Sequence, residues 1–185
     1  MGNIYVCADL HFNHKNIITY ENRPWPDREA MNRGIISNWN AEVEDGDTVY
    51  VLGDVGFCSS TKARNLVSQL RGYKILVMGN HDRDRSPETW KRIGFNAVFA
   101  NPISIIIPGI TAFGKNILLM HEPPEEKEPR NFYIYGHVHG DPSYPDWTPD
   151  SACVSIERLN FAPAKLQSVL DGTAYAHRQK KEATE

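Results

Sequence analysis

Five of the seven histidines in this chain fall in short polar clusters with aspartate, asparagine and glycine: Asp9 and His11, then Gly53 and Asp54, then Gly79, Asn80, His81 and Asp82, then His121, and finally Gly136, His137 and His139. Carboxylate oxygen, amide oxygen and neutral imidazole together suit Mn, Fe, Ni or Zn better than Ca or Mg alone. Two such ions ~3.5–4 Å apart can clamp a phosphate and acidify a water, provided there are two ligand sets and one shared acid. Each cluster taken singly has a plainer reading. Asp9 can cap a helix, Gly53 and Gly79 can make turns, and His121 can be a buried imidazole at a strand end. His137 and His139 alternate along an extended chain and so point the same way, as ligands of neighbouring ions would. A structural zinc site usually closes with four ligands and commonly uses Cys, and no Cys lies near this pair.

Such clusters need elements to bring them together, and hydrophobic periodicity supplies them. Short β-branched or aromatic runs predict strands over residues 3–8, 48–52, 74–78, 97–100, 104–108, 116–120, 132–135 and 152–157. Helices fit residues 28–43, where Met31, Ile35, Ile36, Trp39 and Val43 mark one face, residues 61–70 behind Ser60, and residues 87–93, where Ser86 and Pro87 form a start signal. Strands alternate with helices in the first half, which implies parallel pairing. From Phe95 onward short connections imply antiparallel pairing. The expected fold is α/β, a layered α/β/β/α sandwich of mixed sheets. It forms one domain over residues 1–172 followed by a polar tail, 173–185. Every polar cluster then falls at the carboxyl end of a strand, where loops of open α/β folds converge.

At this point the residues resemble a family. Asp9-Leu10-His11, Gly53-Asp54, Gly79-Asn80-His81-Asp82, His121 and Gly136-His137-Val138-His139 look like the five ordered motifs of the calcineurin-like metallophosphoesterase superfamily, over roughly residues 4–157. The opening segment 9–18 is similar to a small phage and bacterial branch of it. The resemblance implies that Asp9, His11 and His139 hold one divalent metal and that Asn80, His121 and His137 hold a second, with Asp54 bridging. Mn is the first choice of metal, with Fe, Ni or Zn as alternatives. Asn80 and His81 would stabilise charge on the phosphate, and His81, the non-ligand histidine, would donate a proton to the leaving group. Asp82 would orient the His81 imidazole. The reaction implied is hydrolysis of phosphate esters by a metal-bridging hydroxide, with diesters preferred because no capping domain is legible.

The remaining sequence bounds the partners. With 20 Lys and Arg against 23 Asp and Glu, the net charge of −3 argues against a dedicated duplex-binding protein. A small phosphate ester, with a nucleotide as one option, is the expected substrate. No obligate protein partner is evident. A nuclease acting on single-stranded nucleic acid and a non-catalytic binding scaffold are the rival readings, and a scaffold would be expected to have lost ligands. A loop after the first strand carries His14, Lys15, Asn16 and Arg23, which are expected to bind substrate and select diesters. Arg83 and Arg85 read as a solvated face or a phosphate contact, Tyr144 and Trp147 as packing or base-stacking groups, and His177 as inert. Three widely spaced cysteines, with no secretory signal or long apolar run, place the chain in a reducing cytoplasm without a membrane span.

Overall fold

The computed structural model describes residues 2–176 of the 185. The chain runs β1 (Ile4–Cys7), α1 (Lys15–Tyr20), α2 (Arg28–Glu42), β2 (Thr48–Val51), α3 (Ser60–Val67), β3 (Tyr73–Val77), α4 (Pro87–Ile93), β4 (Ala97–Phe99), β5 (Ile103–Ile105), β6 (Asn116–Leu119), β7 (Asn131–Tyr135), β8 (Trp147–Thr148), β9 (Ser151–Cys153), β10 (Ala164–Lys165) and α5 (Leu166–Leu170). Two five-stranded sheets result, ordered β10-β1-β2-β3-β4 and β5-β6-β7-β9-β8.

The first sheet pairs β1 through β4 in parallel, as helical crossovers require, with β10 antiparallel at its edge. Its helices start where their side chains can satisfy free amides. Asp27 caps α2 by accepting from Ala30 N at 2.7 Å, and Ser86 caps α4 by accepting from Thr89 N at 3.3 Å, with Pro87 in the first turn. The cap of α3 is Ser59 rather than the expected Ser60. Met31, Ile35, Trp39 and Val43 of the α2 face are fully buried.

The second sheet corrects the antiparallel expectation. β6 pairs β7 in parallel and β7 pairs β9 in parallel, while only the edge pairs β5–β6 and β8–β9 are antiparallel. The physical reason is connection length. Residues 120–130 and 136–150 are long enough to return the chain to the start of the sheet without a helix. β7 lies in the middle, and all five of its residues are buried, as a strand covered on both faces must be. Phe132 and Ile134 join the core shared with the first sheet, while Tyr133 and Tyr135 pack with Cys153 on the other side.

Two more expectations change. Residues 15–20 form helix α1 rather than a loop. The packed body also continues past residue 172, because Thr173–Tyr175 form a 3₁₀ turn and Tyr175 is buried, its hydroxyl donating to Cys153 O at 2.9 Å. The rest of the expected tail and His177 lie outside the described residues. All three cysteines are free. Among the described residues no helix is long and apolar enough to cross a membrane.

Candidate metal centre

The two sheets meet at the carboxyl ends of β1 and β9, where Ala8 N donates to Val154 O at 2.8 Å and Ile156 N donates to Ala8 O at 3.1 Å. Loops from both sheets therefore open onto one spot. The loop after β1 runs beside that after β2, with Asp9 N donating to Gly53 O at 3.1 Å and His11 N to Asp54 O at 3.0 Å. His137 N donates to Asp9 Oδ2 at 2.9 Å, so the loop after β7 is tied to the same aspartate.

This convergence leaves the backbone in unusual conformations. Asp9, His11, Asp54, His137 and His139 all have φ between 45° and 70°, in the left-handed region. For non-glycine residues each such position costs on the order of 1–2 kcal/mol. Five strained residues in one cluster mark a place where geometry serves something other than stability. His137 and His139 are consequently not on an extended segment, as alternation suggested. Two left-handed turns carry them to different neighbours. His137 Nδ1 lies 3.3 Å from His121 Nε2, and the His139 ring lies 4.8 Å from that of His11. Gly53 and Gly136 permit the crowding. A Cβ on Gly53 would come 2.5 Å from His121 Nδ1, and one on Gly136 would come 2.7 Å from Asp9 Oδ2.

The structure brings together all seven residues singled out as metal ligands. Ligand atoms of Asp9, His11 and His139 lie within 4.8 Å of one another, and so do those of Asp9, Asp54 and His121. Asp54 faces both groups, with Oδ2 3.5 Å from His11 Nε2 and Oδ1 3.5 Å from His121 Nε2. His121 Nδ1 lies 2.8 Å from Leu52 O, a carbonyl that can only accept, so the ring proton belongs there and Nε2 is left with a lone pair. That nitrogen lies 2.9 Å from Asn80 Oδ1. Asp9 Oδ1 and both nitrogens of His11 are buried without hydrogen-bond partners. A buried carboxylate oxygen and a buried imidazole without partners are costly unless a cation takes their lone pairs, so this donor set fits divalent transition metals.

Electrostatics agree for His11. Burial first, then the charges of His139 and Arg23, hold it well below the usual imidazole range, in the neutral form that ligates. Burial pushes Asp9 up, against the pull of His139 and His121. At His139 burial works to lower the value, but a hydrogen bond from Nδ1 to Glu157 Oε1 at 3.1 Å and the charge of Asp9 raise it to about 9. A carboxylate behind an imidazole fixes the ring and strengthens it as a ligand. Glu157 was not legible as part of the site, because residues 152–157 read as strand. In fact β9 stops at Cys153 and Glu157 sits in a 3₁₀ turn. Ser155, whose hydroxyl donates to Asp9 Oδ2 at 2.7 Å, was missed for the same reason.

Among the other expected site residues, His81 is half exposed with Nε2 4.0 Å from Asp54 Oδ2, open to a substrate. Asp82 does not orient it. The fully buried Asp82 carboxylate instead accepts from the backbone of Asp54 at 2.8 Å, Gly79 at 2.9 Å and Val55 at 3.0 Å, bracing the two loops that carry Asp54 and Asn80. Burial pushes its pKa up to about 6, partly offset by those amides. Arg23 is not at the rim. Its buried guanidinium donates to Asp9 O at 2.8 Å, Leu10 O at 2.9 Å and Glu157 Oε1 at 2.9 Å. His14 stacks on Phe57 with ring centroids 4.3 Å apart, and Lys15 and Asn16 stand exposed in the first turn of α1. Arg85 is held by Cys58 O and lies 5.1 Å from the Trp90 ring centre, and Trp147 donates to Leu170 O at 3.1 Å, so both pack as structural groups.

Comparison with known proteins places this geometry. Residues 2–155 match the calcineurin-like phosphoesterase family. The chain is 35% identical over 179 residues to the uncharacterized protein MJ1445 of Methanocaldococcus jannaschii, covering 92% of this chain and 90% of that one. It is also 35% identical over 86 residues to the Gene 66 protein of Mycobacterium phage L5, covering 44% of this chain and 41% of the phage protein. In fold it resembles the crystal structure of AQ665, a protein of unknown function from Aquifex aeolicus. The TM-score is 0.70 with 23% identity, and the match covers 94% of this chain and 100% of that one. With its motifs gathered at one strained, buried donor cluster, the chain belongs to the calcineurin-like phosphoesterase family.

Proposed function

We propose that the chain hydrolyses phosphodiesters with the help of two divalent ions, one held by Asp9, His11 and His139, the other by Asn80, His121 and His137, with Asp54 serving both. The observation that carries this reading is the set of buried ligand atoms that nothing else in the fold occupies or separates: Asp9 Oδ1 and the His11 ring unpartnered, and His121 Nε2 against Asn80 Oδ1. Bound there, a pair of divalent ions would neutralise phosphoryl charge and lower the pKa of an attacking water.

The chain's own groups do the rest. His81 stands at the exposed edge of the donor cluster, where its imidazole can hydrogen-bond a phosphoryl oxygen and pass a proton to the departing oxygen. Glu157 and Ser155 hold His139 and Asp9 in place. His14 and Lys15, at the start of α1, supply positive or hydrogen-bonding character that favours the extra substituent of a diester. An intact ligand set supports catalysis over a non-catalytic scaffold.

The test is a panel of aryl monoesters and diesters with metal-stripped protein reloaded with Mn, Fe, Ni or Zn, beside metal analysis of Asp54→Ala. Turnover of diesters above monoesters and loss of both metals in the variant are expected. No turnover with any metal, or two metals retained by Asp54→Ala with full activity, refutes the reading.

A further inference from the structure

A cavity of about 710 Å³ opens directly beside His137 and His139, in the size range of sites for small organic ligands. Its walls are unusual in two respects. Tyr20 and Tyr144, among the few large apolar side chains exposed on the described surface at 68% and 37%, both line it. Beside the two histidines its polar walls carry the carboxylates of Glu21 and Asp141, and no lysine or arginine lines it among the described residues.

Both features are built in. Glu21 Oε2 accepts from Gly140 N at 3.0 Å, which fixes the end of α1 against the loop that carries His139. The buried Arg158 donates to the carbonyls of Asp141 at 2.9 Å and Tyr144 at 2.8 Å, which fixes the opposite wall. Exposed aromatic rings offer π-faces to a flat group. Two carboxylates repel a second phosphate and accept hydrogen bonds from hydroxyl or amino groups. An uncharged, flat, hydroxyl-bearing substituent satisfies both conditions.

We infer that this cavity binds the nucleoside of a mononucleoside phosphodiester, with the base against Tyr20 and Tyr144 and the sugar hydroxyls facing Glu21 and Asp141. The inference rests on the phosphodiesterase reading above. His81 lines a separate cavity with Phe57 and Arg85 that shares no residue with this one. The alcohol that leaves beside His81 is therefore the substituent other than the nucleoside. Water adds its oxygen to phosphorus, the P–O bond to that alcohol breaks, its oxygen takes a proton, and a nucleoside monophosphate is released. A nucleic-acid strand would carry further phosphates into the acidic cavity, so single nucleosides are favoured over polymers.

The test measures kcat/KM of the metal-loaded full chain on thymidine 5′-(p-nitrophenyl phosphate), methyl p-nitrophenyl phosphate and a single-stranded thymidine oligonucleotide. The nucleoside ester should be preferred, yielding nitrophenol and thymidine 5′-monophosphate. Tyr20→Ala and Tyr144→Ala should each lower the nucleoside-to-methyl ratio by about 5- to 150-fold, the range for stacked bases, while Tyr→Phe keeps it. Quenching of protein fluorescence by thymidine 5′-monophosphate should weaken in the alanine variants alone. A ratio near one, or one unmoved by both alanines, overturns the inference while turnover of the methyl ester leaves the phosphodiesterase reading standing. An oligonucleotide cut as fast as the nucleoside ester overturns the restriction to single nucleosides. Failure to cleave either ester overturns the parent reading and this inference with it.

Discussion

Arg23→Met separates a structural arginine from a substrate-binding one. The guanidinium is fully buried and donates to two carbonyls, Asp9 O and Leu10 O, and to Glu157 Oε1. Burial works to raise the Glu157 pKa, yet the hydrogen bond with His139 and the charge of Arg23 hold it below the ordinary carboxylate range. Methionine fills much of the volume and removes the cation, leaving the buried Glu157 carboxylate with His139 as its one charged partner and the two carbonyls without donors. Breaking a buried pair by removing one partner costs ~3–5 kcal/mol. For a chain of this size each kcal/mol moves Tm by ~2–4 °C, so a fall of ~6–20 °C follows. Because Glu157 backs His139 and Asp9 loses its carbonyl anchor, metal affinity should fall as well, while the diester-to-monoester ratio of the fully loaded variant stays at the wild-type value. Thermal melts of metal-free protein, metal titration and two-substrate kinetics measure the three. A Tm within 2 °C of wild type together with a KM effect confined to diesters would refute the argument and return Arg23 to the substrate.

Three further outcomes follow from the same geometry. Asp82→Asn sets an amide NH₂ against one of three backbone donors and should cost ~1–3 kcal/mol in denaturant unfolding, with weaker metal binding through the displaced Asp54 loop; unchanged stability would show those hydrogen bonds to be dispensable. His81→Ala should keep both metals by elemental analysis while losing ~10²-fold in rate on esters with poor leaving groups and less on activated nitrophenyl esters; loss of metal would make His81 a ligand. In metal-free protein the His139 pKa is raised to about 9 from 6.5, so its proton stabilises the fold fully below pH 6.5, a contribution lost as pH rises through 9. A metal must displace that proton, so affinity measured by calorimetry should rise across pH 6.5–9, and Glu157→Gln should flatten the rise.

The types and order of the site residues could be read from the chain because they are local. Asp9-Leu10-His11 or Gly79-Asn80-His81-Asp82 is a run of a few residues at the end of an apolar strand, and the periods of strand and helix locate those ends. Parallel pairing in the first sheet followed from helices long enough to read, such as α2 with its buried Met31, Ile35 and Trp39. Helix α1 was illegible since Ile17, Ile18 and Thr19 are poor helix formers, and the packing of Ile17 and Ile18 against the core supports them in that form. The parallel pairing of β6 with β7 was equally hidden, because a crossover without a helix leaves no periodic trace.

Roles that depend on distance across the fold belonged to the tertiary structure alone. Arg23 and Glu157 stand 134 positions apart, yet share one buried ion pair that fixes His139. Asp82 looked like a partner of its neighbour His81 and turned instead to amides 27 and 28 positions away. A sequence states which groups can ligate, donate or pair. Which partner each one meets is set by burial, since a charged group withdrawn from water takes whatever complement the packed chain brings to it.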